Sequence, residues 1–127
     1  MKTFVIENAP AAIGPYSHAV RVGNLVFCSG QTPVDPVTMK LVGETIEEQT
    51  AQVFANMTAV LGGLGLTLQN VAKTTVFLRS MRDFQGMNGV YAAAFNGHKP
   101  ARSTVAVREN PLDCMVEIEC IAEVPND

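Results

Sequence analysis

The segment Pro100-Ala101-Arg102-Ser103-Thr104 sets an arginine at the mouth of an apolar stretch, Ser103 to Val107, in a chain with nine lysines and arginines among 127 residues. Pro100 cannot donate to a ladder and fixes its own φ, so the chain enters that stretch at a set angle. Arg102 then sits at a strand end, where its planar fork of N–H donors can hold a carboxylate. Fifteen residues further on, Val116-Glu117-Ile118-Glu119 supplies carboxylates in a second strand. A fixed guanidinium beside a carboxylate is the beginning of a site for a small acid. An exposed arginine opening an edge strand is the competing reading, and this segment alone leaves both open.

Other residues gather round the same idea. Glu117 and Glu119 point the same way, because strand side chains repeat every two residues. On a solvated face that carries no meaning; on a face buried between subunits, a carboxylate needs a partner such as Arg102. Ser29-Gly30-Gln31 ends a strand, and Gly30 permits a backbone turn that offers N–H groups to a ligand, or simply stops the strand. Tyr16 carries a phenol on the loop after Gly14-Pro15, where it can also serve as plain packing over a strand end. Asn88 lies one position from the core stripe of a helix, exposed or bonded across an interface. His18 and His98 pair with no serine or cysteine at nucleophile spacing, which argues against a triad. No phosphate loop, dinucleotide fingerprint or metal motif is present.

The elements that must position these residues follow from pattern and punctuation. Strands are predicted at Thr3–Ile6, Ser17–Val22 and Leu25–Ser29, the last two around a Gly23-Asn24 turn. Gly30 to Glu44 reads as a long loop. Thr45 and Glu48 form a capping-box pair ahead of a helix with Ile46, Val53, Met57, Val60/Leu61 and Leu64 at helical spacing, ended by Gly62, Gly63 and Gly65. Val71–Leu78 is a strand. Ser80 caps a second helix with the stripe Phe84, Met87, Tyr91 and Phe95, stopped by Gly97. Strands at Ser103–Val107 and Met115–Val124 complete the order β-β-β-α-β-α-β-β, an α+β domain. Two helices cover one sheet face. Yet Leu25-Val26-Phe27-Cys28 and Val76-Phe77-Leu78 are apolar at successive positions, so both faces read as buried. A further copy of the chain is the economical cover; a ligand cavity inside a monomer is the alternative.

Bulk properties set the frame. One domain spanning residues 1–127 is expected from the length. Apolar residues make up 47 % and charged residues 17 %, and no apolar run approaches a membrane span. Met1 to Ala12 has no apolar signal-type stretch, so no signal peptide is expected. Cys28, Cys114 and Cys120 are an odd set without metal spacing and read as reduced thiols, with no metal and a cytoplasmic location, or an organelle in a eukaryote. A net charge of −3 argues against nucleic acid as the main partner.

Five segments in order resemble the RidA family over nearly the whole chain: Asn8-Ala9-Pro10-Ala11-Ala12-Ile13-Gly14-Pro15-Tyr16, Ser29-Gly30-Gln31, Lys73-Thr74-Thr75-Val76-Phe77, Pro100-Ala101-Arg102-Ser103 and Val116-Glu117-Ile118-Glu119. The resemblance implies a chorismate-mutase-like α+β fold of the bacillary type, a mixed sheet with two helices on one face. It implies a homotrimer with sheets facing inward and clefts between neighbouring subunits. It also implies an enamine/imine deaminase, a hydrolase converting 2-aminoacrylate, 2-iminopropanoate, 2-iminobutanoate and related 2-imino acids to 2-keto acids and ammonia without a cofactor. A non-catalytic small-acid-binding or regulatory module in the same cleft is the alternative.

Carried over by position, Arg102 would hold the substrate carboxylate, assisted by the backbone N–H of Thr104. Glu117 would orient or activate the attacking water, while Tyr16, Ser29, Gly30 and Asn88 would line the cleft. Glu119 receives no role. Two departures stand out: Thr104 replaces the cysteine of many members, and Asn96-Gly97-His98-Lys99 is a shorter connection than in some.

Overall fold

The computed structural model describes residues 1–126. Thr45 caps the first helix, α1 (Ile46–Gly63): its hydroxyl accepts from the Glu48 N–H at 3.1 Å, and the Glu48 carboxylate accepts from the Thr45 N–H at 3.2 Å. The pair satisfies donors that a helix start leaves unpaired. The second helix begins later than its cap candidate suggests. Ser80 accepts from the Arg82 N–H and caps a short 3-10 turn, Met81–Asp83, and α2 follows as Phe84–Phe95. Asn96, at φ 48°, ends α2 one residue before the expected stop at Gly97. Asparagine tolerates the left-handed conformation that such an ending uses.

The strands are β1 (Lys2–Phe4), β2 (Ala19–Val22), β3 (Leu25–Gln31), β4 (Val71–Leu78), β5 (Ala101–Ala106) and β6 (Val116–Glu123). They form one sheet in the order β1-β2-β3-β6-β4-β5. β4 and β5 run parallel, with α2 as their crossover, and the other pairings are antiparallel. This is the mixed sheet and the element order read from the sequence. Gly23, at φ 59°, takes the first central position of the β2–β3 hairpin, where a type II′ turn wants glycine. β1 stops at Phe4 rather than Ile6, because His18 Nδ1 takes the Ile6 N–H at 2.7 Å. β3 runs on through Gln31, with an irregularity against β6 between Cys28 and Gln31. The following loop is pinned midway by a bridge between Val34 and Leu41.

Both helices lie on one face. Phe54 of α1 meets Tyr91 and Phe95 of α2 with ring centroids 5.6 and 5.4 Å apart, largely edge to face. They pack above Val76, Ile118 and Cys120. β6 shows the pleat plainly: Val116, Ile118, Cys120 and Ala122 are buried, and Glu117, Glu119, Ile121 and Glu123 point the other way. On that other face Leu25 and Phe27 are 41 % and 42 % exposed, next to buried Val26 and Cys28. The described residues therefore leave an apolar sheet face uncovered. Cys28, Cys114 and Cys120 are free thiols, all buried. No helix among the described residues is long and apolar enough to cross a membrane.

Candidate functional site

Arg102 leaves β5 on the helix face. Its Nη1 donates to Asn88 Oδ1 at 2.7 Å, and its guanidinium carbon lies 4.8 Å from the Tyr91 ring centroid and 5.5 Å from that of Phe84. Phe84, Asn88 and Tyr91 share one side of α2 by helical spacing, so a single helix supplies both the hydrogen bond and the aromatic seat. The Tyr91 hydroxyl is itself fixed by a 2.6 Å hydrogen bond with Thr74, the residue opposite Arg102 in the β4–β5 register. Burial raises the Tyr91 pKa above its ordinary value, which keeps the phenol neutral. The guanidinium is thus oriented without being neutralised. Among the described residues the one ion pair is Arg79–Asp113 at 3.4 Å, and Arg102 meets no carboxylate among them.

Thr104 follows two residues later on the same side of β5, and its hydroxyl is buried with no hydrogen-bond partner. β5 is an edge strand, so part of its backbone has no ladder partner within the chain.

Glu117 belongs to a second cluster, on the opposite face. It faces Gly30 across the β3–β6 irregularity, and a Cβ placed on Gly30 would lie 2.8 Å from Glu117 Oε2. Only glycine leaves that carboxylate its room. Burial, and then the like charge of Glu119, raise the Glu117 pKa above the ordinary glutamate value. Beside it opens a cavity of about 590 Å³ whose wall includes Tyr16, Ser29, Gly30 and Glu117. The Ser29 hydroxyl donates to the Ser17 carbonyl at 2.6 Å, so it braces the loop under Tyr16. His18, also in this wall, is buried: Nδ1 accepts from the Ile6 N–H and Nε2 donates to the Pro10 carbonyl, each at 2.7 Å. Those bonds fix one neutral tautomer and make the ring a clasp for the loop that carries Tyr16.

The residues singled out from the sequence therefore fall into two groups. Arg102, Asn88 and Thr104 come together on the helix face; Tyr16, Ser29, Gly30 and Glu117 come together on the other. Register explains the separation: Arg102 lies on the line of Thr74 and Cys120, Glu117 on that of Phe77 and Val105. The sheet stands between them, so one chain does not bring its own Arg102 to its own Glu117. Phe84 and Tyr91 were legible only as core stripe, although their spacing around Asn88 was a signal of a seat for a cation. Met39, Pro111 and Leu112, which also line the cavity, lie in none of the sequence motifs.

Comparison with known proteins agrees with this architecture. The family profile described as Endoribonuclease L-PSP matches residues 6–124. The chain is 45 % identical over 124 residues to the 2-iminobutanoate/2-iminopropanoate deaminase of Salmonella typhimurium, covering 95 % of this chain and 96 % of that protein. It is 47 % identical over 116 residues to the chloroplastic Reactive Intermediate Deaminase A of Arabidopsis thaliana, covering 91 % of this chain and 62 % of that protein. Among solved structures, a putative endoribonuclease of Thermotoga maritima superposes with a TM-score of 0.94 at 51 % identity, covering 99 % of this chain and all of that one. With the family profile, these relatives and the sheet topology in agreement, the chain belongs to the endoribonuclease L-PSP family, the group its sequence motifs identify as RidA.

Proposed function

We propose that the protein hydrolyses small 2-imino acids and their enamine tautomers to 2-keto acids and ammonia, in clefts where Arg102 of one copy meets Glu117 of the next. The observation that carries this is the pair of incomplete half-sites. Arg102 is oriented by Asn88 and Tyr91 yet has no carboxylate. Glu117 is held against Gly30 with a raised pKa yet has no cation. The uncovered sheet face around Phe27 carries the second half-site and is the surface a neighbour would cover. A homotrimer with these faces inward joins each clamp to a carboxylate. The names borne by the Salmonella and Arabidopsis relatives support the same chemistry.

In this reading Arg102 takes the substrate carboxylate through two parallel N–H···O bonds, with the Thr104 N–H beside them. The protonated imine is already electrophilic, so the protein has mainly to place it and a water molecule. Glu117, as carboxylate, accepts a proton from that water while its oxygen bonds to C2 and the C=N electron pair moves onto nitrogen. Glu117 returns that proton to nitrogen and then takes the hydroxyl proton as the O–H pair closes the C=O bond and C–N breaks, and the departing ammonia carries this last proton away as ammonium. Every step balances with water as the sole co-reactant.

The test couples an amino-acid oxidase to the purified protein and follows imine loss and ammonia release. The wild type is expected to accelerate both, and Arg102→Ala to abolish the acceleration, with a trimer seen by light scattering. Full activity in Arg102→Ala would remove the clamp from the mechanism. Keto-acid binding without turnover on any imine, retained in Glu117→Gln, would make the cleft a binding module instead.

A further inference from the structure

We propose that Cys28 and Cys120 form an oxidisable dithiol, closed to a cross-strand disulfide by a peroxide and reopened by a small thiol reductant, and that closure loosens both halves of the site. The two residues are direct partners in the β3–β6 register, and both are free thiols buried on the helix face. The kind of rung they occupy follows from the ladder. The Val124 N–H donates to the Asn24 carbonyl at 2.8 Å, and alternation along the register from there makes Cys28–Cys120 a hydrogen-bonded pair. Such pairs hold their Cα atoms about 5.5 Å apart, inside the span of about 4.4–6.8 Å that a disulfide bridges. Directly opposed Cβ atoms lie about 4.5–5.5 Å apart, wider than the roughly 3.8 Å a disulfide prefers, so the strands must draw together to close it. A bridge under that tension is readily reduced, as a reversible one must be.

Local structure supplies the slack and the access. The β3–β6 ladder is regular up to this pair and irregular immediately beyond it, between Cys28 and Gln31. A broken ladder opens locally at lower cost, which admits a small oxidant to thiols whose residues are 7 % and 3 % exposed. The Cys120 thiol held against Cys28 lowers the Cys28 pKa, whereas that same contact and then burial raise the Cys120 one. Cys28 is therefore the sulfur that reacts first. Its thiolate attacks one peroxide oxygen and the O–O bond breaks; the other oxygen leaves as water with the Cys28 proton, and Cys28 keeps a hydroxyl on sulfur. Cys120 gives up its proton, its sulfur attacks Cys28, and the hydroxyl departs with that proton as a second water. Two electrons pass from the sulfurs to the peroxide. Cys114 is the internal contrast: it lies outside the strands, donates to the Val116 carbonyl at 3.3 Å, and burial pushes its pKa up to about 11.

The pair stands between the two halves of the site. Cys120 is opposite Thr74, and Thr74 opposite Arg102, in one row across β6, β4 and β5. Thr74 bonds the hydroxyl of Tyr91, whose ring seats Arg102. On the other side, the irregular segment that must take up the closure contains Gly30, the residue that leaves Glu117 its room. Drawing Cys120 toward β3 therefore shifts the packing beneath Tyr91 and moves Gly30 against Glu117. The dithiol requires no particular reaction; its effect on turnover rests on the imine-deaminase reading.

The experiment treats the reduced, assembled protein with hydrogen peroxide, quenches with catalase and alkylates in denaturant. One alkylated thiol, Cys114, is expected in place of three, with a Cys28–Cys120 cross-linked peptide and return of all three thiols on adding dithiothreitol. Three thiols after treatment, or bridges between chains, overturn the proposal. On closure kcat/KM for the imine from alanine is expected to fall about three- to thirtyfold and to recover on reduction. Cys28→Ala is expected to turn over like wild type and to ignore the peroxide; equal inhibition in that variant overturns the switch. Calorimetry with pyruvate reads the Arg102 clamp without turnover. If no imine turns over, the deaminase reading falls by itself, and weaker pyruvate binding by the bridged form keeps the switch standing. A fully bridged protein with unchanged kcat/KM and unchanged pyruvate affinity overturns it.

Discussion

Chains damaged in opposite halves of the proposed cleft should repair each other. Arg102→Ala removes the clamp and keeps Glu117; Glu117→Gln does the reverse. Losing one partner of a desolvated charge contact costs about 2–5 kcal/mol, or roughly thirtyfold to several-thousandfold in kcat/KM, so each homo-oligomer is nearly silent. Because Arg102 and Glu117 lie on opposite faces of one sheet, each chain of the proposed assembly would contribute them to different clefts. In a random mixture of equal parts, a cleft is intact when its clamp comes from the Glu117→Gln chain and its carboxylate from the Arg102→Ala chain. That chance is one half times one half, and activity returns to about one quarter of wild type. Co-expression from tagged genes, tandem purification and the ammonia assay would measure it, with the mixing ratio varied to trace a maximum at equal parts. A mixture as inactive as its parents refutes the reasoning, because it would mean that both groups act from the same chain.

The pH dependence, the Gly30 contact and the His18 clasp give further tests. With the Glu117 pKa raised, kcat/KM should fall as pH drops through a value above the ordinary glutamate range, and Glu119→Gln, which removes the like charge, should move that limb to lower pH. The stability sign is the opposite of the usual carboxylate case. A folded-state pKa above the unfolded one stabilises the fold below the unfolded pKa and loses that contribution as pH rises through the folded one. For the unassembled chain Glu117→Gln should therefore raise the melting temperature at neutral pH, whereas in a closed cleft the neighbour's Arg102 would favour the carboxylate and oppose that gain. Gly30→Ala forces the Glu117 carboxylate aside, since the new Cβ would sit 2.8 Å from Oε2, and should cut turnover far more than it cuts stability by denaturant titration. His18→Ala leaves the part-buried Ile6 N–H and the buried Pro10 carbonyl unpaired and should cost about 2–4 kcal/mol in unfolding free energy, a structural loss visible by calorimetry.

How far the sequence alone reached can be judged residue by residue. Thr45 and Glu48 announce α1 because a capping box is local chemistry, decided within four positions. Val71–Leu78 is matched end to end because β-branched Val71, Thr74, Thr75 and Val76, followed by Phe77 and Leu78, dominate it. The start of α2 misleads, because Ser80 caps a 3-10 turn and the helix proper waits for Phe84. Boundaries such as β1 depend on His18, a partner twelve residues away, and no local pattern encodes that bond. The candidate site divides the same way. Arg102, Glu117 and Gly30 were legible as residue types in motifs, and Asn88 by its place beside a helix's core stripe. Their arrangement into two groups on opposite faces was not, because it depends on which strand lies beside which: β6 enters the sheet between β3 and β4, and β5 is placed at the edge. Met39 and Leu112 had no sequence signal, since a left-handed backbone at a methionine or a leucine runs against local preference.

Assembly and chemistry are consequently one constraint in this fold. The pleat that sends Val116, Ile118 and Cys120 into the core must send Glu117 out of it, onto the face that also carries Phe27. A carboxylate on an apolar, uncovered face is costly to bury unless the covering partner brings a cation. Arg102 is the cation this chain holds ready, seated on Tyr91 and bonded to Asn88 with no carboxylate of its own. In the proposed assembly the apolar area around Phe27 would favour closing the interface, and Arg102 would offset the cost of closing it over Glu117. The same charge pair, left with space between its members, is what a small imino acid and one water molecule would occupy.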